Sequence, residues 1–120
     1  VLLMAAARRD FFLTVQHGQF YQGKPVIGYD LPGFGDELCG LPYLPRLIAK
    51  ARAKLVGSMG DDIIYCCEND RRFFRDHGNI HPADFLRVVW AAGDSDPKVY
   101  DYVRQRTLSV SSAVPDNEQM

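Results

Sequence analysis

The chain has 120 residues, of which 47% are hydrophobic and 24% charged, and this size and composition predict one globular domain and exclude a second full domain. Its net charge of -1 excludes a general attraction to nucleic acid or anionic lipid, so such binding would require a local basic patch. No apolar run approaches the roughly 18 residues needed to span a bilayer, and three cysteines, two of them adjacent, do not describe a secreted disulfide framework. We therefore expect a cytoplasmic protein with reduced thiols and no membrane association.

Residues 1–31 form a predicted N-terminal extension. The stretch "DFFLTVQHGQFYQGKPVIGYD" is rich in β-branched and aromatic residues and is interrupted by three glycines. This pattern predicts short strands, with a β-hairpin over residues 11–28. The apolar N-terminus and "FFLTV" would then offer an exposed strand edge to a second copy, which makes a homodimer a reasonable hypothesis.

Residues 32–107 form a predicted helical domain, because the apolar residues change to a helical period. In "LPRLIAKARAKLVG" this period leads to Gly57, where a left-handed cap would end the helix. A shorter helix follows, with Phe73 and Phe74 pointing inward and Gly78 just past its end.

Two further helices are predicted from "PADFLRVVWAAG" and "SDPKVYDYVRQ". Their predicted inward residues are Phe85, Leu86, Val89, Trp90, Val99, Tyr102 and Val103. The fold class is therefore predicted as mainly α, an array of about four short helices with a short hairpin in the N-terminal 30 residues. The polar stretch 108–120 has no period and is predicted to be a flexible tail.

The segment "YCCENDRRFFRDHGNIH" brings two cysteines and two histidines close together in the sequence. His77 falls in the last turn of a predicted helix, where it can meet the free carbonyls, and His81 precedes a proline, where an N-cap belongs. Gly78 separates the two imidazoles, and the adjacent Cys66 and Cys67 lack the CxxC spacing that turns two sulfurs toward one ion. We therefore expect no metal site.

A reactive thiol is the alternative interpretation of the same segment. Cys66 and Cys67 come just before a helix N-terminus, with two arginines nearby, and such surroundings favour a reactive cysteine. Paired with His77 or His81, either could serve a small cytoplasmic enzyme or a redox-sensitive protein. However, the chain has no GxSxG, P-loop, HExxH or dinucleotide motif, so we favour a binding or assembly module over an enzyme and expect no cofactor.

Residues 41–75 carry a local excess of positive charge, with seven basic residues against four acidic ones. Arg46, Lys50 and Lys54 are spaced to line one side of a helix and could hold a protein partner or a small acidic or phosphate-bearing ligand. Further candidate ligand-binding residues are Arg71, Arg72 and Trp90. A solvated helix face is the alternative explanation of these charges. No nucleic-acid reader motif accompanies them, so nucleic acid is not an expected partner.

Four short motifs carry a family resemblance across residues 40–107: "LPRLIAKARAKLVG", "DRRFF", "GNIHPADFL" and "GDSDPKVYDYV". In this succession the chain resembles the small bacterial family catalogued as domain of unknown function 5069. The resemblance implies an α-helical domain and supplies no activity. His81 stands where the family tends to place an acidic residue, which agrees with a capping role.

Overall fold

The structure, a computed structural model, describes residues 2–118, with side chains described up to residue 109. The predicted mainly α fold is confirmed, although this part of the chain holds five α-helices where about four were predicted. The helices are α1 (Leu2–Thr14), α2 (Leu44–Val56), α3 (Glu68–Asp76), α4 (Pro82–Ala92) and α5 (Asp96–Glu118). A short 3-10 helix (Gly28–Asp30) and the strands β1 (Glu37–Leu38) and β2 (Leu41–Pro42) lie between α1 and α2.

The N-terminal segment begins as a helix, so the predicted hairpin over residues 11–28 is wrong. Ala7 is fully buried, α1 packs on α2 and α4, and the ring of Phe11 meets that of Trp90 edge to face at 5.3 Å. This packing, together with the high helix propensity of residues 2–9, outweighs the β-propensity of the aromatic residues. The strand edge proposed to join two copies is therefore absent from α1, and the homodimer stays a prediction.

A two-residue turn joins β1 to β2 and forms a small antiparallel hairpin. Leu38 pairs with Leu41, while Cys39 and Gly40 between them have φ angles of 53° and 84°. Left-handed backbone at both turn positions is what a tight two-residue hairpin requires. The hairpin lies against α2 and α5.

The core forms where α2 packs against α1, α4 and α5. Its fully buried large residues include Leu44, Leu47, Ile48, Phe85, Leu86, Val89, Val99 and Val103. Most of the predicted inward residues are therefore confirmed, but Trp90 and Tyr102 are only half-buried. Phe73 and Phe74 of α3 are buried, as predicted.

Glycines end two of the helices in left-handed backbone. Gly57 (φ 84°) closes α2 through a hydrogen bond from its N–H to the carbonyl of Ala53, as predicted. Gly78 (φ 95°) is buried just past α3, where a Cβ would lie 2.6 Å from the carbonyl oxygen of Arg106. Arg106 also donates from Nη2 to the carbonyl of Gly78, so the end of α3 sits directly on α5.

Helix α5 continues to Glu118, well past its predicted end near residue 107. The flexibility of residues 108–120 stays a prediction, and residues 119 and 120 lie outside the described part of the chain. The division of the chain at residue 31 likewise stays a prediction. Within residues 2–118, none of the helices combines the length and apolar character needed to cross a membrane.

Two backbone hydrogen bonds at Val26 attach the connection between α1 and α2 to the segment that follows α2. The N–H of Val26 donates to the carbonyl of Ser58, and the carbonyl of Val26 accepts from the N–H of Gly60, both at 2.7 Å. Beyond this point the chain passes Pro32 and Phe34 on its way to the hairpin. The ring of Phe34 lies 5.9 Å from that of Tyr43, the residue before α2, so the connection brings Phe34 to the N-terminal end of α2.

Candidate functional site

A buried ion pair joins α2 to α3. Nζ of Lys50 lies 3.1 Å and 3.2 Å from the two carboxylate oxygens of Asp70. Both side chains are buried, so Lys50 does not lie on a solvated basic face with Arg46 and Lys54. Taking two charges out of water is costly, and only close pairing with further hydrogen bonds offsets that cost.

Asp70 receives those further hydrogen bonds from three directions. The hydroxyl of Tyr43 donates to Oδ1, and the backbone N–H groups of Cys66 and Cys67 donate to Oδ2 at 2.9 Å and 3.4 Å. Burial and the hydrogen bond to Asp70 raise the pKa of Tyr43 above its ordinary value, so the phenol stays a proton donor. The carboxylate is thus held by a cation, a phenol and two amides.

The thiol of Cys67 lies beside the same ion pair. Its Sγ is 3.5 Å from Nζ of Lys50, and the residue occupies the N-cap position of α3. Cys66 precedes it with a half-buried side chain, and burial raises the pKa of the Cys66 thiol. The two adjacent cysteines therefore have different surroundings, and the sulfur of Cys67 contacts the ammonium group of Lys50.

Two residues beside this cluster adopt left-handed backbone without being glycine. Tyr43 (φ 75°) immediately precedes α2, and Cys66 (φ 74°) precedes the N-cap of α3. Such conformations cost about 1 to 3 kcal/mol each and persist where the surroundings determine them strongly. Here the side chain of Tyr43 and the N–H of Cys66 both hydrogen-bond to Asp70, which accounts for their retention.

An open groove runs over the cluster, and we call it the Tyr43 groove. It consists of two adjoining cavities of about 220 Å³ and 260 Å³ that share Phe34, Tyr43 and Asn69. The first is also lined by Arg46, Lys50, Asp62, Ile63, Ile64 and Cys67, and the second by Arg72, Phe73, Asp76 and His77. The groove thus combines an aromatic floor with three basic side chains.

Arg46 is held in place within the Tyr43 groove. Its guanidinium carbon lies 4.1 Å from the ring centre of Phe34, and Nη1 donates to the carbonyl of Pro32 at 3.0 Å. Among the described residues, no carboxylate comes within the 4.0 Å of an ion pair with Arg46. Its positive charge is therefore positioned but not neutralised.

The two histidines serve the ends of different helices. Nδ1 of His77 donates to the carbonyl of Phe73 at 2.8 Å, and its ring stacks on that of Phe73. Nδ1 of His81 accepts from the N–H of Ala83 at 3.0 Å, which confirms the predicted N-cap. Within the described part of the chain, no three His, Cys, Asp or Glu side chains are grouped so that they could hold a metal ion.

The structure brings together only some of the predicted ligand-binding residues. Arg46, Lys50 and Arg72 line the Tyr43 groove, together with Cys67 and His77. The others lie elsewhere: Lys54, Arg71, Trp90, Cys66 and His81.

The sequence analysis did not single out Tyr43, Phe34 or Asn69 as site residues, and it did not predict the burial of Asp70. For Asp70 a signal existed, because it precedes Phe73 and Phe74 by three and four residues and so shares their buried face.

Comparison with known proteins identifies a family but no activity. The model of the family described as "Domain of unknown function (DUF5069)" matches residues 35–114. Neither the search of curated proteins nor the search of solved structures found a match. The matched region contains nearly all of the Tyr43 groove and leaves out only Phe34.

Proposed function

Because the chain belongs to the DUF5069 family, whose description names no activity, we propose from the geometry that it is a binding module that takes a small acidic ligand into the Tyr43 groove. The ligand would carry a carboxylate or a phosphate. The observation that carries this proposal is Arg46, a positioned guanidinium that has no carboxylate partner among the described residues and lies beside a concave, aromatic-floored surface.

Arginine suits this task because its planar fork of N–H donors matches the oxygens of a carboxylate or phosphate. The stack on Phe34 and the bond to the carbonyl of Pro32 already fix the side chain of Arg46. Less conformational freedom is then lost when a ligand binds, which favours affinity. Arg72 lines the adjoining cavity and adds a weaker positive charge, because its Nη2 lies 3.8 Å from Oε1 of Glu68.

The charges around the groove favour a small ligand over a long polyanion. Lys50 is neutralised by Asp70, and Arg72 lies 3.8 Å from a carboxylate oxygen of Glu68 in an exposed pair, so Arg46 supplies most of the attraction. Asp62 and Asp76 line the same two cavities and would repel an extended chain of phosphates. This arrangement supports a small acidic molecule and argues against nucleic acid, which binds along continuous basic surfaces.

The alternative hypothesis of an enzyme that pairs Cys66 or Cys67 with His77 or His81 has less support than ligand binding. His77 is bonded to Phe73, and His81 caps α4, so each imidazole has a role at a helix end. The assembly role and the homodimer remain alternatives to ligand binding, as does a protein partner. A cytoplasmic location stays part of the proposal, and the three free thiols agree with it.

Binding can be tested by nuclear magnetic resonance with inorganic phosphate and citrate as probes. We expect one of the two probes to shift the amide signals of Tyr43 and Asn69, with a dissociation constant of about 1 mM or below. Arg46→Met keeps the apolar stem and removes the fork, and it should weaken binding about tenfold, which corresponds to ~1.4 kcal/mol.

Arg75→Met is the matched control, because Arg75 is an exposed arginine on α3 that does not line the groove. This variant should bind as the unchanged chain does. An equal loss of affinity in the two variants would show that binding depends on the net charge of the protein and not on the position of Arg46. No shift at Tyr43 and Asn69 with either probe would refute the proposed site.

A further inference from the structure

Four aromatic rings are consecutive neighbours along the Tyr43 groove. The ring centres of Phe34 and Tyr43 are 5.9 Å apart, and those of Tyr43 and Phe73 are 6.0 Å apart. The ring of His77 stacks on that of Phe73 with 4.1 Å between their centres. Of the two cavities, Phe34 and Tyr43 line both, whereas Phe73 and His77 line the second. Aromatic surface therefore extends along the whole groove.

The first cavity also exposes two large apolar side chains to solvent. Phe34 is 57% exposed and Ile64 is 67% exposed, and both line this cavity of about 220 Å³. Single exposed apolar residues are common on protein surfaces and require no explanation. Here, however, the two lie in one concavity with Arg46. Since a cavity of about 150 Å³ can already hold benzene, the first cavity has the size and the lining to cover one ring.

Arg46 has a donor left for an acid group beside this apolar surface. Its Nη1 donates to the carbonyl of Pro32, and its Nε is buried without a partner among the described residues. Its Nη2 makes no hydrogen bond within the described part of the chain, so it can donate to a ligand. The guanidinium lies over the ring of Phe34, and an anion bound to Nη2 would therefore be close to the exposed apolar side chains.

We propose that the acidic ligand of the Tyr43 groove is an aromatic acid, in which a planar ring carries a carboxylate or a phosphate group. This ligand class rests on the proposed function and narrows it from any small anion. The acid group would accept a hydrogen bond from Nη2 of Arg46, while the ring would cover Phe34 and Ile64. Contacts between aromatic rings add stabilisation beyond the burial of apolar area, so a planar ring is favoured over an aliphatic body of the same size.

Two pairs of probes test this ligand class in the full chain, through the amide signals of Tyr43 and Asn69 in nuclear magnetic resonance titrations. Phenyl phosphate differs from inorganic phosphate by its ring, and we expect it to bind at least about tenfold more tightly at a pH where both are doubly ionised. Benzoate and cyclohexanecarboxylate have the same charge and the same number of carbon atoms. We expect benzoate to bind more tightly by about threefold or more.

The outcomes distinguish this ligand class from the proposed function. If inorganic phosphate or citrate binds, but phenyl phosphate binds no more tightly than inorganic phosphate, the ligand class is wrong and the proposed function stands. Equal affinities for benzoate and cyclohexanecarboxylate would contradict recognition of a planar ring. Absence of shifts with every probe would refute the proposed function, and the ligand class with it.

Two variants test where the ring lies in the groove. Phe34→Leu keeps an apolar side chain and removes the ring, and Ile64→Ser removes apolar surface at an exposed position. In each variant the affinity for phenyl phosphate, relative to that for inorganic phosphate, should fall about threefold or more. This ratio cancels any change at Arg46 that weakens both probes equally.

Leu13→Ser is the matched control, because Leu13 is 58% exposed on α1 and does not line the groove. Its ratio of affinities should equal that of the unchanged chain. A ratio that stays unchanged in both Phe34→Leu and Ile64→Ser, or one that falls equally in Leu13→Ser, would overturn the proposal.

Discussion

Helix α2 carries two ion pairs, each between a basic and an acidic side chain, that differ in how far they are exposed to solvent. Lys50 pairs with Asp70, and the two side chains are 6% and 0% exposed. Arg52, two residues further along, pairs with Asp96, and these side chains are 37% and 38% exposed. Two residues of an α-helix are about 200° apart around its axis, so the first cation faces the buried cluster and the second faces solvent.

This difference in exposure means that an ion pair contributes differently to stability at the surface and in the interior. At the surface, water competes for both charges, and such pairs contribute about 0 to 1 kcal/mol. In the interior, neither charge of the pair can be left alone, because water does not replace a lost partner. Lys50 and Asp70 therefore fix how α2 meets α3, whereas Arg52 and Asp96 add a replaceable contact between α2 and α5.

The largest expected effect follows from breaking the buried pair. Asp70→Leu leaves Lys50 without its partner and removes the acceptor of Tyr43, and we expect it to lower the free energy of unfolding by about 3 to 5 kcal/mol, as measured by urea denaturation. Adding Lys50→Met to Asp70→Leu should recover more than about 1 kcal/mol, because the isolated charge is gone. A single variant that lost less than the Arg52 variant described below would invalidate the distinction between the two pairs.

A second, smaller change in stability tests how strongly the buried surroundings of Asp70 disfavour a further negative charge. The hydroxyl of Tyr65 donates to the carbonyl of Pro82, and burial, then the charge of Asp70, raises the pKa of Tyr65 above its ordinary value. Above about pH 10 the unfolded chain loses this proton while the folded chain keeps it, so stability falls as the pH rises, by up to about 1.4 kcal/mol per pH unit.

Tyr65→Phe should remove this part of the pH dependence, while at neutral pH the loss of the hydrogen bond costs about 1 kcal/mol. Urea unfolding at neutral and alkaline pH measures both quantities. Tyr29→Phe is the control, because the Tyr29 side chain is 94% exposed, and its alkaline slope should equal that of the unchanged chain. Equal slopes for the Tyr65 variant and the unchanged chain would show that Tyr65 ionises freely in the fold.

The smallest effect is expected at the exposed pair. Arg52→Met removes the bond to Asp96 and another to the carbonyl of Gly93, and it should lower the free energy of unfolding by less than about 1 kcal/mol. The difference from the unchanged chain should shrink further in added salt, because salt screens exposed charges. A loss of about 3 kcal/mol or more would place this pair in the same class as Lys50 and Asp70.

Much of the fold from residue 44 onward could be predicted from the sequence. The apolar period of α2, the cap at Gly57 and the N-cap at His81 are local signals that the structure confirms. The N-terminal helix was missed because the aromatic residues of "DFFLTV" were given more weight than residues 2–9, "LLMAAARR", which are all strong helix formers. Contacts of α1 with α2 and α4 add to this local preference.

The candidate site was predictable only in part, for a similar reason. Asp70 shares a helical face with Phe73 and Phe74, which marks it as buried, but Lys50 has Arg46 and Lys54 one turn before and after it, so the sequence predicted it on a basic face. That Lys50 and Asp70 meet is a property of the packing between α2 and α3, since 20 residues separate them. Phe34 and Tyr43 lie outside the regular apolar period, so their place beside Arg46 depends on the path of the connecting segment.

Gly78 and Arg106 form a close backbone contact about which α5 could tilt. Since a side chain at position 78 would collide with the backbone of α5, a substitution there requires either α5 or the segment after α3 to shift. Residues 107–118 extend α5 by about 18 Å beyond this contact. A tilt of α5 by about 10° at the contact would therefore displace the C-terminal end of the helix by about 3 Å. Besides the buried Val99 and Val103, this one glycine therefore constrains how closely α5 can lie against the end of α3.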